Sequence, residues 1–129
     1  MKKLVSILLV LLLLAFNVTA IAHGVITSAS VSCVHPLGSN IVIGSAYCTA
    51  SGTYDVLAKD IKITISLQKL VDGVYKTQTS KTNTGHATSL SCQATWTVST
   101  GTYRIRAYFE AGDEEGAHTR YINSSSVTY

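Results

Sequence analysis

Four side chains near the middle and the end of the chain have the chemistry of a binding surface. Lys62, Arg104, Arg106 and Tyr108 alternate with apolar residues in two segments of strand-like sequence. Period-two alternation sends such residues to one face of a sheet. If the two segments neighbour each other, the four side chains form a shallow basic and aromatic patch. Such a patch suits an anionic wall polymer, a glycan or an extracellular protein. The plainer reading is a solvated sheet face, which long charged side chains also suit.

Catalytic chemistry has weaker signals. Glu110-Ala111-Gly112-Asp113-Glu114-Glu115-Gly116 gathers carboxylates that could supply oxygens to Ca²⁺, which takes six to eight. The run lacks alternating Asp-x-Asp spacing, so a solvated hairpin loop is expected, with Asp113, Glu114 and Glu115 exposed and no metal bound. Its charges would also discourage edge-to-edge strand pairing. His23, His35, His86 and His118 have no i, i+2 or i, i+4 partner for a local metal clamp. No Gly-x-Ser-x-Gly elbow is present to raise a nucleophilic serine. The chain reads as non-catalytic, with no cofactor called for.

The elements that must position these residues are strands. Ser, Thr, Val, Ile and Tyr dominate after residue 22, and helix signals are almost absent. Seven strands are expected. The first covers about Thr27 to Val34 and the second Ile41 to Ala50. Ile41 and Ile43 oppose Val42, Ala46 and Cys48, so the second strand's parity stays open. The third is the clearest, with Ile61, Ile63, Ile65 and Leu67 alternating with Lys62, Thr64, Ser66 and Gln68. Asp72-Gly73 then supplies a two-residue hairpin turn. The fourth strand covers about Tyr75 to Ser80, and Lys81 to Gly85 reads as a polar loop. The fifth covers His86 to Val98, with Cys92 and Trp96 inward. The sixth carries Tyr103, Ile105, Ala107 and Phe109 inward and Arg104, Arg106 and Tyr108 outward. The seventh runs from about His118 to Tyr129. The expected core includes Val31, Ile63, Ile65, Leu67, Leu90, Trp96, Ile105 and Phe109. Seven short alternating strands argue for a two-sheet antiparallel sandwich, with an up-and-down barrel as rival.

Residues 1–22 read as a cleavable signal peptide. Lys2 and Lys3 precede an apolar run from Leu4 to Phe16, and Ala20-Ile21-Ala22 offers a small-residue cleavage site. Val18-Thr19-Ala20 is a second possible site. The run is shorter than the roughly 20 residues that span a bilayer, so no stable membrane insertion is expected after cleavage. Export would leave one domain, residues 23–129. Removing Lys2 and Lys3 from the ten basic residues leaves eight against seven acidic, a net charge of +1. The basic residues are scattered, which argues against nucleic acid as partner.

Gly101-Thr102-Tyr103-Arg104-Ile105 resembles the turn and strand of immunoglobulin-like and fibronectin-type domains, where a Gly-x-Tyr run makes a tyrosine corner. The resemblance assigns that role to Tyr103, whose hydroxyl would bond backbone upstream of the turn. Ile63 to Lys69, Asp72 to Lys76, Gly101 to Arg106 and Val127-Thr128-Tyr129 also resemble a group of small secreted proteins of Gram-positive bacteria. That resemblance implies a seven-stranded antiparallel immunoglobulin-like β-sandwich and carries no activity. The sixth strand has no Cys, which excludes the inter-sheet disulfide of antibody domains. In an immunoglobulin-like order the second and fifth strands are neighbours, which implies a Cys48–Cys92 bridge with Cys33 free. A one-residue slip in the second strand would turn Cys48 outward. The expected role is therefore a secreted binding or structural module at or outside the cell surface. A secreted antagonistic factor, bacteriocin-like or an inhibitor, is the alternative.

Overall fold

The computed structural model describes residues 25–51, 58–113 and 116–129. The apolar run from Leu4 to Phe16, both candidate cleavage sites, and Glu114 and Glu115 of the acidic run lie outside them, as does the side chain of Asp113. The chain forms β1 (Val25–Val34), β2 (Ile41–Ser51), β3 (Lys59–Val71), β4 (Val74–Ala87), β5 (Ser89–Thr97), β6 (Thr102–Asp113), β7 (Gly116–Asn123) and β8 (Val127–Thr128). It is all-β among the described residues. The strands make two antiparallel sheets, ordered β1-β2-β5 and β4-β3-β6-β7, with β8 added to β6.

The core lies between the sheets and is asymmetric. Ile61, Ile63, Ile65 and Leu67 of β3 and Ile105 and Phe109 of β6 fill it from the larger sheet. β2 answers with a row of small residues, Gly44, Ala46, Cys48 and Ala50, which settles the parity that sequence left open. The close fit requires the small row. A Cβ at Gly44 would stand 2.7 Å from Ile105 Cδ1 and 2.9 Å from Trp96 Cζ3. Five of the expected core residues are fully buried, whereas Val31, Leu90 and Trp96 are partly buried and pack on the rim.

The turns obey their local chemistry. Asp72 and Gly73 both take positive φ, 51° and 79°, as a tight β3–β4 hairpin demands. Tyr103 is buried, and its hydroxyl donates to the Ser99 carbonyl at 2.7 Å, pinning the turn before β6.

Three expectations about the strands are corrected. The polar stretch Lys81 to Gly85 is strand, because β4 runs unbroken to Ala87 beside β3 with one bulge at Gln78. β4 is an edge strand exposed along most of its length, so no apolar alternation marks it. The fifth strand begins at Ser89, not His86. The seventh is broken, which makes eight strands among the described residues. Ser124 leaves the ladder, with its N–H donating to the Ile105 carbonyl and its Oγ accepting from the Ile105 N–H, both at 2.8 Å. Pairing resumes at Val127 opposite Tyr103, one residue out of phase with Asn123 opposite Arg106.

The Cys48–Cys92 bridge is not formed, and all three cysteines are free thiols. β2 and β5 are neighbours and both cysteines are buried, but Cys48 pairs with Leu90 and Cys92 with Ala46. They are thus diagonal neighbours, about 7 Å apart in such ladders, where a disulfide needs Cβ atoms within about 4.5 Å. Burial pushes all three thiols above their ordinary titration range, which suppresses the thiolate that would attack.

Two outcomes test this packing. Truncating Ile65 to Ala should cost about 2–5 kcal/mol in urea unfolding, the usual range for emptying a buried aliphatic site. A loss below about half a kcal/mol, the surface norm, would put Ile65 on the wrong face. All three thiols should alkylate in denaturant without reductant, and half-exposed Cys33 should alkylate first in the folded protein. A cysteine-linked peptide in a non-reducing digest would contradict the register.

Candidate functional site

Burial of Ile63, Ile65, Ile105 and Phe109 leaves the intervening residues of β3 and β6 no choice but the outer face. Their register fixes which side chains meet. Across β3 and β6 the outer rows are Gln68 with Arg104, Ser66 with Arg106, Thr64 with Tyr108, and Lys62 with Glu110. Arg104, Arg106 and Tyr108 therefore share one end of the face. Lys62 shares the face but lies at the other end, in the row of Glu110.

The flanking strands complete the cationic end with residues that the sequence did not single out. Tyr75 of β4 lies under the Arg104 guanidinium, with its ring centre 3.9 Å from Cζ. Tyr121 of β7 lies 4.7 Å from Cζ of Arg106 and packs, tilted, on Tyr108 at 4.9 Å between ring centres. Gln68 is buried and ties the group together. Its Oε1 accepts from Arg104 Nε at 2.9 Å while its Nε2 donates to Thr77 at 3.2 Å. Paired hydroxyls, Thr64 with Thr82 and Ser66 with Ser80, both at 2.8 Å, extend the face toward β4. Neither β4 nor β7 shows the alternation that would have singled out Tyr75 or Tyr121. The partnerships needed the cross-strand register.

A shallow cleft of about 350 Å³ marks the opposite end, lined by Asp60, Lys62, His86 and Glu110 among others. His86 Nδ1 and Asp60 Oδ1 are 2.8 Å apart, with both side chains well exposed. An exposed pair of this kind stabilises little. Of the other histidines, His35 meets the Ile41 carbonyl at 2.9 Å and His118 Nδ1 accepts from the Ile26 N–H at 3.1 Å. No group of three or more metal-ligating side chains occurs among the described residues.

Tyr108 joins the two ends. Its hydroxyl donates to Glu110 Oε2 at 2.7 Å, and that bond to a carboxylate pushes its pKa up to about 12. The arrangement as a whole offers two ring-stacked guanidinium groups, hydroxyls and an aromatic surface. These are the means to bind an anion or a sugar.

No protein-family model matches the chain, and no curated protein resembles it closely enough to count as a relative.

The Tyr108–Glu110 bond predicts an alkaline signature. The folded state holds the Tyr108 proton up to about pH 12, whereas an unfolded tyrosine releases it near 10. The stabilisation is whole below pH 10 and is lost as pH rises through that window, because the unfolded chain deprotonates first. Phenolate absorbance should show one tyrosine titrating above the rest, and Glu110→Gln should bring it down. An unchanged titration in the variant would break the assignment.

Proposed function

We propose that this chain is a secreted, non-catalytic module that binds an anionic polymer outside the cell through the outer face of β3 and β6. The observation that carries this reading is the pair of stacked arginines. Arg104 on Tyr75 and Arg106 on Tyr121 occupy adjacent rows of one sheet. A guanidinium lying over a ring can still present an N–H edge for the bidentate pairing that phosphate and carboxylate accept; in Arg104 the Nε is given to Gln68, which leaves the Nη groups for that pairing. Stacking also restricts the side chain before binding, so less conformational entropy is lost on association. Gln68 restricts Arg104 further through its Nε.

The immunoglobulin-like order belongs to the same proposal. The first, second and fifth strands form one sheet, and the third, sixth and seventh run through the other, as in that family. Here the fourth strand joins the edge of the second sheet. The Tyr103 hydroxyl bond to Ser99 supports the tyrosine corner. The basic start, the apolar run and the small-residue site support export.

Sedimentation of the protein with a purified phosphate-bearing wall polymer tests the reading. Binding should weaken as salt rises, since exposed charges are screened. The Arg104→Gln/Arg106→Gln double variant should lose on the order of tenfold or more in affinity, given about 1.5–3 kcal/mol for a hydrogen bond to a charged group. Binding by the double variant equal to that of the parent would refute it.

A further inference from the structure

The two sheets divide the charge of the molecule unequally. β1, β2 and β5, of 10, 11 and 9 residues, hold no Asp, Glu, Lys, Arg or His at all. Charged side chains in strands all belong to the other sheet. Natural sheets usually carry charge where they face water, because charge discourages association between strands. The edges of this sheet are protected by a different means. Lys81 and Asn83 of β4 donate to the carbonyls of Gln93 and Ser91 on β5, at 2.8 and 2.7 Å. On the other side, His118 of β7 accepts from the Ile26 N–H of β1. Both edges are thus engaged by the opposite sheet, and the outer face is left open.

That face is uncharged, with one ring among hydroxyls at its centre and an apolar end where Val34, 50% exposed, pairs with Ile43. Tyr47 stands 45% exposed between Ser30 of β1 and Ser91 of β5. The next row is Ser32, Ser45 and Gln93. Neighbouring hydroxyls already pair, Ser32 with Ser45 at 2.6 Å and Ser28 with Thr49 at 2.7 Å, and each hydroxyl keeps capacity for a further hydrogen bond.

We infer that the outer face of β1-β2-β5 is a second binding surface, centred on Tyr47, whose ligand is a neutral polysaccharide. Charge complementarity selects the ligand class. A charged polymer would shed water here with no opposite charge to replace it, which is costly. A protein partner needs a cluster of apolar anchors at the centre of the contact, whereas the apolar side chains of this face, Val34 and Ile43, lie at one end and hydroxyls surround the central ring. An uncharged sugar matches both features. The C–H face of a pyranose ring lies on an aromatic ring, and its hydroxyls exchange hydrogen bonds with Ser, Thr and Gln. This surface lies across the sandwich from the stacked arginines and does not depend on them.

Retention of the purified secreted protein on insoluble cellulose and on chitin tests the inference. At least one of these polymers should retain it, with no loss between low and molar salt, because no ion pair is involved. Tyr47→Ala should lower retention about tenfold, Tyr47→Phe should keep it, and Arg104→Gln/Arg106→Gln should leave it unchanged. Tyr47 is exposed, so an unaltered melting temperature will separate lost binding from lost fold. Absence of retention on both polymers would overturn the inference. So would retention that falls with salt or survives Tyr47→Ala. A concentration-dependent dimer that Tyr47→Ala dissolves would instead make the face a contact between two copies of this chain.

Discussion

The contact between the isoleucine row of β3 and the small-residue row of β2 sets the rest of the structure. Ile61, Ile63 and Ile65 are fully buried with Ile105 and Phe109 beside them. Such bulk fits between two sheets only if the opposite layer gives way, and Gly44, Ala46, Cys48 and Ala50 do so. Adding a single carbon at Gly44 would collide with Ile105 and Trp96. Close-packed interiors tolerate such additions poorly. Once this interlayer closes, alternation leaves every second residue of β3 and β6 facing solvent. The arginine and tyrosine face is therefore a consequence of burial, and the order of its rows follows from unbroken pairing along ten positions of β3 and β6.

Closure of the sandwich at its sides uses polar side chains in place of further strands. β5 ends one sheet and would expose a row of carbonyls, which invites pairing with another chain. Lys81 and Asn83 fill those positions from β4, and the Cys92 thiol donates back to the Lys81 carbonyl at 3.7 Å. The opposite side relies on His118 and on the bulge at Ser124, which returns both backbone groups of Ile105 to a partner. The residues that made Lys81 to Gly85 read as a loop are thus the residues that bind the two sheets together.

The β3 and β6 strands were legible because each has one wet and one dry face. The parity of Arg104, Arg106 and Tyr108 followed directly. β4 was legible only in its first half, since an edge strand exposed on both sides carries no alternation, and Thr and Asn suit loops as well as strands. β2 hid its register because Ile41, Val42 and Ile43 are all apolar, while its true inner row is made of residues with little hydrophobic signal. Pairings between strands were the least legible. The Tyr75 and Tyr121 stacks, the displacement of Lys62 to the row of Glu110, and the two-residue offset of Cys48 from Cys92 each depend on register. Register is set by how whole faces pack, so no local window of sequence contains it.

Segregation of charge gives the two sides of the molecule different physics. On the larger sheet, Arg104 and Arg106 act through fields that salt screens and through directed N–H edges, while Glu110 and Asp60 reverse the sign toward the other end. On the smaller sheet, hydroxyls, one tyrosine ring and the Val34–Ile43 end act only at contact, and salt leaves them unaffected. A charged residue placed on β1, β2 or β5 would add little to folding, because the core lies on their other side. The absence of charge there is therefore not demanded by the interior. Nor is it demanded by edge protection, which Lys81, Asn83 and His118 supply from the opposite sheet. What remains to account for it is the outer surface itself, where a neutral and regular array of hydroxyls around Tyr47 is the property that a single Lys or Glu would destroy.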